Sequence, residues 1–174
     1  MLREITMDEL TVELFSDFRR HQEVTKCWRK REGKWVIIDN PFTEEWSQEH
    51  YRYLVECLRN TVAAGGVVYG AFLNGKLKGF ASVESIFFGS AGQYLELSSI
   101  HVSEDCRGHG TGRKLMKAAC TWAKEKGAQK LYISAHSSVE SQAFYKAMGC
   151  REAEEYSQPH VEMEPCDCQL EKVL

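Results

Sequence analysis

The chain has 174 residues, 43% of them hydrophobic and 27% charged, a composition that fits one globular domain burying about 70% of its unfolded surface. The net charge of −3, with no long basic stripe, argues against general nucleic-acid binding. No apolar run is long enough to span a membrane, and the opening MLREITMDEL carries acids where a secretory signal would be apolar, so we expect a soluble cytoplasmic protein.

The N-terminal segment predicts a strand over residues 3–6 and then a helix that Asp8 or Thr11 can cap. Farther along, the charged run RKREGK lies beside Trp28 and Trp35. We interpret both tryptophans as local core rather than as a ligand platform. The apolar face of the helix consists of Leu10, Leu14, Phe15 and Phe18.

A second helix is expected after Thr43, which is a suitable N-cap, and Gly65 and Gly66 end it. Its apolar face consists of Tyr51, Leu54, Val55, Leu58 and Val62. Acids in this third of the chain suggest a cationic ligand, although three of them also suit the first turns of this helix; they are Asp39, Glu44, Glu45 and Glu49, the last three being the helix candidates.

Two β-rich runs follow, residues 67–73 and 76–84, joined by Asn74-Gly75, the strongest short signal for a β-hairpin. The loop over residues 85–93 contains three apolar side chains, Ile86, Phe87 and Phe88. We interpret them as buried under a neighbouring loop, with the lining of a ligand cleft as the alternative.

A glycine-rich loop then lies between a predicted strand ending at Val102 and a predicted helix beginning at Thr111. Gly108, Gly110 and Gly112 free the backbone to turn its N–H groups inward at a helix N-terminus, which favours binding of a phosphate or pyrophosphate. It is not a Walker loop, since Lys and then Ser or Thr do not follow the last glycine. It is not a Rossmann loop either, since Arg113 stands where the third glycine would be.

The C-terminal third alternates helix and strand. The helix over residues 111–126 presents Leu115, Ala118, Ala119, Trp122 and Ala123 to the sheet, and Gly127 ends it. A strand over residues 129–135, parallel to the earlier one, completes a right-handed βαβ unit. Ser137 or Ser138 caps a helix to Met148, and residues 150–156 and 167–174 are expected to form a closing hairpin. Periodicity alone predicts a mixed α/β fold.

Two sequence blocks resemble the GNAT superfamily of N-acetyltransferases. The first is Arg-x-x-Gly-x-Gly at Arg107, Gly110 and Gly112. The second runs from Ser138 to Cys150 and is similar to the family's Asn-x-x-Ala-x-x-x-Tyr-x-x-x-Gly-Phe segment, with Tyr145 and Gly149 in place. It departs from the pattern at three positions, Ser138 for Asn, Ser141 for Ala and Cys150 for Phe.

The resemblance implies a GNAT-like α/β fold, a mixed and mostly antiparallel central sheet flanked by helices, with a parallel βαβ unit at the acetyl-CoA site. It implies a single acetyltransferase domain over residues 1–174, with a variable acceptor-side region in residues 1–65 and a cofactor-binding core in residues 66–174. The cofactor-binding residues that it implies are Ile100, His101, Val102, Arg107, Gly108, His109, Gly110, Thr111, Gly112, Arg113, Ser138 and Tyr145.

The implied reaction is direct attack of a primary amine on the thioester of acetyl-CoA in a ternary complex. Tyr145 matches the position of the family's general acid, and its structural alternative is packing of the ring. Glu96 matches the catalytic glutamate of one family branch; its alternative is an outward carboxylate or a structural ion-pair partner. Glu84 is the reserve base, and His101 and His136 are weaker options.

The alternative function is a catalytically inactive acyl-CoA-binding sensor or scaffold. We expect a small-molecule amine as acceptor, with no nucleic-acid or membrane partner, and family members commonly form homodimers. The seven cysteines are expected to be reduced thiols. No metal is expected, because Cys166 and Cys168, with His160 nearby, lack the usual C-x-x-C spacing.

Overall fold

The computed structural model describes residues 1–174. The strands are β1 (Leu2–Glu4), β2 (His21–Arg31), β3 (Lys34–Glu45), β4 (Val67–Leu73), β5 (Lys76–Val83), β6 (Tyr94–Val102), β7 (Lys130–Ala135), β8 (Arg151–Glu152) and β9 (Cys168–Val173). The α-helices are α1 (Gln48–Ala63), α2 (Thr111–Glu125), α3 (Val139–Ala147) and α4 (Gln158–Met163). Short 3-10 helices lie at Met7–Glu9, Val12–Phe15 and Glu104–Cys106. No helix combines the length and the apolar character needed to cross a membrane.

Seven strands form one sheet in the order β1-β4-β5-β6-β7-β9-β8, and β2 and β3 form a separate two-stranded sheet. All neighbours are antiparallel except β6 and β7, which α2 connects as a parallel βαβ unit. This confirms the predicted mixed, mostly antiparallel sheet with one parallel unit.

Helices cover both faces of the large sheet. Neighbouring residues of β4 point to opposite faces, and Val67 belongs to the core cluster that contains α2, whereas Val68 belongs to the cluster that contains α1. The α2 side buries Leu115, Met116, Ala119, Trp122 and Ala123, and the α1 side buries Tyr51, Val55 and Leu58. The sheet is therefore the middle layer of three.

The β4–β5 hairpin turns at Asn74 and Gly75 as predicted, with φ of 51° and 76°. The unpredicted β2–β3 hairpin turns in the same way at Glu32 and Gly33, with φ of 51° and 76°. The sequence signal was weaker there because glutamate is an uncommon residue at positive φ. Trp28 and Trp35 on this hairpin pack against the main core, which confirms their interpretation.

The predicted first helix is wrong, since residues 7–15 form two 3-10 turns. Glu9 stabilises the first turn, because its carboxylate accepts a hydrogen bond from Thr6 N at 2.9 Å and so caps a turn of only three residues. Leu10, Phe15 and Phe18 are nevertheless buried, as their pattern indicated.

The predicted cap at Thr43 is also wrong. Thr43 lies within β3, which continues to Glu45, and α1 begins after Ser47, whose Oγ accepts from His50 N at 3.4 Å. Of the candidate helical acids, only Glu49 lies in the first turn of α1. The end of α1 before Gly65 and Gly66 is as predicted.

Two further segments differ from expectation. Phe88 packs on Tyr94 and Tyr132, but Ile86 and Phe87 of the same loop are exposed. The closing strands β8 and β9 do pair, but the short helix α4 separates them in the chain.

Candidate active site

The two parallel strands separate after a short region of pairing. β6 and β7 pair from Tyr94 and Lys130 to Glu96 and Tyr132, and β6 then runs on to Val102 without β7 beside it. The backbone of this part of β6 is therefore open on its β7 side. Paired strands satisfy such groups with each other, so this edge is free to receive an extended ligand.

A cleft of about 690 Å³ opens at this separation. It is lined by the end of β6, the glycine loop, the start of α2 and one face of α3. The predicted cofactor residues that line it are Ile100, His101, Val102, Arg107, Gly108, Gly110, Thr111, Gly112, Arg113 and Tyr145. His109 and Ser138 are not among the lining residues.

The glycine loop leaves the N-terminus of α2 open. Gly110 is the N-cap with φ of 78°, so it supplies no capping side chain, and Gly108 also has a positive φ of 81°. The N–H groups of the first turn of α2 are thus available, and the helix dipole favours an anion there. Gly112 serves packing, because an added Cβ would lie 2.9 Å from Phe144 Cε2.

Arg107 and Arg113 supply positive charge at this loop. Arg107 Nε donates to Val102 O at 3.2 Å, which ties the loop to the end of β6. Burial lowers the pKa of the Arg107 guanidinium from its ordinary value, but an arginine remains charged at neutral pH. An anion in the cleft would thus meet at least one fixed cation.

Tyr145 projects from α3 into the cleft, and its hydroxyl has no hydrogen-bond partner in the protein. Burial raises the pKa of this phenol above its ordinary value of 10. The hydroxyl therefore keeps its proton at neutral pH and is free to donate it to a ligand.

Ser138 caps α3, as predicted for Ser137 or Ser138. It is fully buried, and its Oγ accepts from Ser141 N at 3.2 Å and from Gln22 Nε2 at 3.2 Å. The structure thus places it beneath the cleft, where it holds the start of α3 and part of β2.

Glu96 lies on the paired part of β6 and does not line the cleft. Its Oε1 is 3.1 Å from His160 Nε2 on α4. Glu84 lies beside it, just after β5, and its N–H donates to Glu96 O at 2.9 Å. The Glu84 carboxylate accepts from Thr61 Oγ at 2.7 Å and Ser98 Oγ at 2.6 Å.

The two weaker histidine candidates both line the cleft. Burial lowers the pKa of His101 to about 3, and its ring packs against Trp46 and Phe80, so it is neutral and a poor base. His136 Nδ1 accepts from Ser138 N at 3.1 Å, and its Nε2 lies 3.9 Å from Glu44 Oε2.

Strand β2 contributes residues to the cleft that the sequence analysis missed, namely Gln22, Glu23 and, just before the strand, Arg20. At one end Arg19 N donates to Ser103 Oγ at 2.9 Å, and at the other Trp28 N donates to Ser137 O at 2.8 Å. Residues 19–28 thus bridge the ends of β6 and β7. Only recognition of this strand from its sequence could have found them.

Arg20 is the buried member of this group, with 7% of its surface exposed. Its Nη2 donates to Glu44 Oε2 at 2.7 Å, which neutralises its charge in place. The pair fixes the start of β2 against the end of β3 at the edge of the cleft.

No group of three or more His, Cys, Asp or Glu side chains is arranged to hold a metal ion. Cys168 is buried at the start of β9, Cys166 is exposed, and His160 is directed towards Glu96 instead.

Comparisons with known proteins agree with this geometry. The family model described as acetyltransferase (GNAT) family matches residues 19–150. No curated protein matches the sequence.

Among solved structures, an acetyl-coenzyme A complex of a protein assigned as a streptothricin acetyltransferase from Bacillus anthracis has a TM-score of 0.72 at 15% identity, over 100% of this chain and 95% of that one. Nourseothricin acetyltransferase has a TM-score of 0.65 at 18% identity, and the match covers 98% of this chain and 95% of that one. Ribosomal-protein-alanine N-acetyltransferase from Brucella melitensis has a TM-score of 0.60 at 19% identity, and the match covers 100% of this chain and 99% of that one. These likenesses show the shared fold.

The matched segment contains the open edge of β6, the glycine loop and Tyr145, and it spans most of the chain. The protein therefore belongs to the GNAT family of acyl-CoA-dependent N-acetyltransferases.

Proposed function

We propose that this protein transfers the acetyl group of acetyl-CoA directly to a primary amine within a ternary complex. The observation that carries the proposal is one cleft that combines an open strand edge, an uncapped helix N-terminus and the unpartnered hydroxyl of Tyr145. These are a site for an extended arm, a site for phosphates and a proton donor, in that order.

The residues present fit coenzyme A. The uncapped N–H groups at the start of α2, with Arg107 and Arg113, would hold the pyrophosphate, since a helix N-terminus and fixed cations both favour anions. The backbone of Ile100, His101 and Val102 would bond the pantetheine arm as a further strand would. When bound, acetyl-CoA supplies an activated acyl thioester.

The side chains then have separate tasks. Tyr145 gives its proton to the departing thiolate sulfur, and its raised pKa ensures that the phenol still carries that proton at neutral pH when the thiolate forms. A backbone N–H of β6 donates to the developing oxyanion. Glu96 takes a proton from the acceptor amine, directly or through water, and Glu84, just after β5, is the reserve.

We propose a small-molecule amine as the acceptor. Glu84 and Glu96 are neighbours across the sheet through the bond from Glu84 N to Glu96 O, and two acidic residues in one place favour a cationic group. Solved neighbours named for nourseothricin, streptothricin and ribosomal-protein alanine support an amine acceptor, and the first two support a small molecule.

We also propose that residues 1–174 act as one acetyltransferase domain. Tyr51, Val55 and Leu58 of the N-terminal region share a core cluster with Val68 and Phe80 of the cofactor-binding region. The two regions therefore bury their apolar side chains against each other.

The test combines a thermal shift with acetyl-CoA and release of free CoA thiol on adding a panel of primary amines. The proposal predicts stabilisation by acetyl-CoA and amine-dependent thiol release. Stabilisation without release with any amine would instead favour an inactive acyl-CoA-binding protein.

A further inference from the structure

One ion pair joins the central strand to a helix outside the cofactor cleft. Glu96 Oε1 on β6 lies 3.1 Å from His160 Nε2 on α4, and the side chains are 27% and 20% exposed. Glu96 has no other ion-pair or side-chain hydrogen-bond partner in the protein. One of its carboxylate oxygens is therefore engaged by His160 and the other is left for a ligand.

The His160 ring is held on its remaining sides. Its Nδ1 lies 2.6 Å from Ser157 Oγ, its face stacks on Phe88 at 5.6 Å between ring centres, and Tyr132 packs at 5.1 Å. Ser157 N in turn donates to Tyr132 Oη at 2.9 Å, which anchors the start of α4 on β7. The ring thus keeps Nε2 directed at Glu96 without depending on solvent.

We propose that His160 is a positioning residue for deprotonation of the acceptor: it holds one oxygen of Glu96 and determines when that carboxylate is available to the acceptor's ammonium group. The inference rests on the proposed N-acetyltransfer and deepens it. A carboxylate already paired with a cation attracts a second cation weakly. Once His160 is neutral, Glu96 is an uncompensated anion that attracts the ammonium group and takes its proton.

The charges around His160 support this order of events. Its titratable neighbours are Glu96 on β6 and Tyr132 on β7, whereas Phe88 and Ser157 carry no charge. The Glu96 carboxylate raises the pKa of His160, outweighing the opposing effect of burial. Burial raises the pKa of Tyr132, so this phenol stays neutral. The ion pair is therefore complete below the ordinary histidine pKa of about 6.5 and is lost as pH rises through the raised value.

The kinetic test compares His160→Gln with the wild-type protein across pH, as the ratio of their kcat/KM values for one acceptor. The ratio cancels the ionisation of the acceptor itself. Glutamine cannot carry the blocking charge, so the variant should be up to about tenfold faster one pH unit below the His160 pKa and similar to wild type above it. His50→Gln, at an exposed histidine in α1, should give a ratio near one throughout. A pH-independent ratio for His160→Gln would overturn the proposal.

A second measurement does not depend on finding an acceptor. Titration of the His160 ring by NMR should give a lower pKa in Glu96→Gln than in the wild type, and equal values would overturn the coupling of the two residues. Absence of thiol release with every amine would overturn the proposed reaction, and with it the catalytic role of the pair. The two failures are therefore distinguishable.

Discussion

At the scale of single residues, Tyr145 has the most specific task. Its hydroxyl lines the cleft without a protein partner, so removing the oxygen leaves the surrounding packing intact. Tyr145→Phe should lower kcat by about 10² or more, the usual contribution of a general acid, with little change in KM for acetyl-CoA. Steady-state kinetics measure both constants. Tyr53→Phe, at a tyrosine 70% exposed on α1, is the matched control and should be neutral. An unchanged kcat in Tyr145→Phe would exclude the tyrosine as proton donor.

Gly110 tests the open end of α2. Its φ of 78° strains any other residue, and an added Cβ meets nothing within 4 Å, so Gly110→Ala should cost about 1–2 kcal/mol of stability through backbone strain alone. Relaxing that strain turns the N–H groups of α2 away, so the Kd for acetyl-CoA should also rise. Gly92→Ala has φ of 61° and equally open space, and it should lose stability without losing affinity. Equal affinities in the two variants would contradict a phosphate site at this loop.

The sequence predicted the residues whose neighbours are local in the chain. The spacing of Gly108, Gly110 and Gly112 along the chain was enough to predict an anion-binding turn. Most of the predicted cofactor residues do line one cleft. The contact between Glu96 and His160 could not be predicted, because it depends on where α4 lies against the sheet. Arg20 was missed for the same reason.

Among the secondary-structure elements, two hairpins have the same turn geometry, but only one of them was predicted from the sequence. Asn74-Gly75 lies between apolar strands and was predicted, whereas Glu32-Gly33 lies in a charged run and was not. The β2–β3 hairpin is stable in spite of its polar sequence because it packs on the main core through Trp28 and Trp35. Tertiary contacts thus stabilise a hairpin that local strand propensity alone does not predict.

An ion pair also docks this hairpin on β8. Lys30 Nζ lies 2.5 Å from Glu152 Oε1, and Trp35 Nε1 donates to Glu152 Oε2 at 3.1 Å. Lys30, with help from Tyr156 and Trp35, lowers the pKa of Glu152 to about 2. The resulting stability is present above the ordinary glutamate pKa and is lost as pH falls towards about 2.

Glu152→Gln should therefore lower Tm slightly at neutral pH. The loss in the free energy of unfolding should be less than about 1 kcal/mol, because solvent screens the ion pair. The Tm difference from wild type should shrink as pH falls below about 4.5. Thermal denaturation from neutral pH downwards measures this trend. Glu162→Gln on α4 is the control and should show no such pH dependence, and a difference that grows in acid would contradict the ion pair.

In the molecule as a whole, Glu171 joins the four strands on the β8 side of the large sheet. This fully buried carboxylate on β9 accepts from Tyr94 Oη at 2.6 Å, Lys130 Nζ at 2.9 Å and Arg151 Nη2 at 2.8 Å. Burial alone would raise the pKa of Glu171, but these three donors together lower it to about 2. One side chain thus links β6, β7, β8 and β9.

Glu171→Gln should cost about 3 kcal/mol in the free energy of unfolding, because it leaves Lys130 and Arg151 without their buried partner. Glu154→Gln removes the exposed partner of the same two cations, 63% exposed, and should cost less than about 1 kcal/mol. Urea denaturation at neutral pH compares them. Since the pKa of Glu171 is lowered, the gap between wild type and Glu171→Gln should narrow as pH falls below about 4.5. Equal losses of unfolding free energy in the two variants would contradict the expectation that the buried carboxylate contributes more to stability than the exposed one.

The order of elements along the chain predicted the overall architecture from the β4–β5 hairpin onwards. The two blocks around Arg107 and Tyr145 carried that prediction, since the first lies within the parallel unit of β6, α2 and β7, and the second lies on α3 directly after it. The N-terminal region was predicted less well, because its strands and turns are defined by contacts with the finished sheet. The same region provides β2, whose residues Gln22 and Glu23 line the cleft.

Equilibrium dialysis of labelled acetyl-CoA against the wild-type protein and Gly110→Ala tests most directly whether the glycine loop binds coenzyme A. We predict saturable binding of one acetyl-CoA per chain by the wild type and a higher Kd for the variant, because both depend on the N–H groups at the start of α2. Absence of binding by the wild type, or equal Kd values for the two proteins, would contradict the proposal that this loop holds the phosphates of coenzyme A.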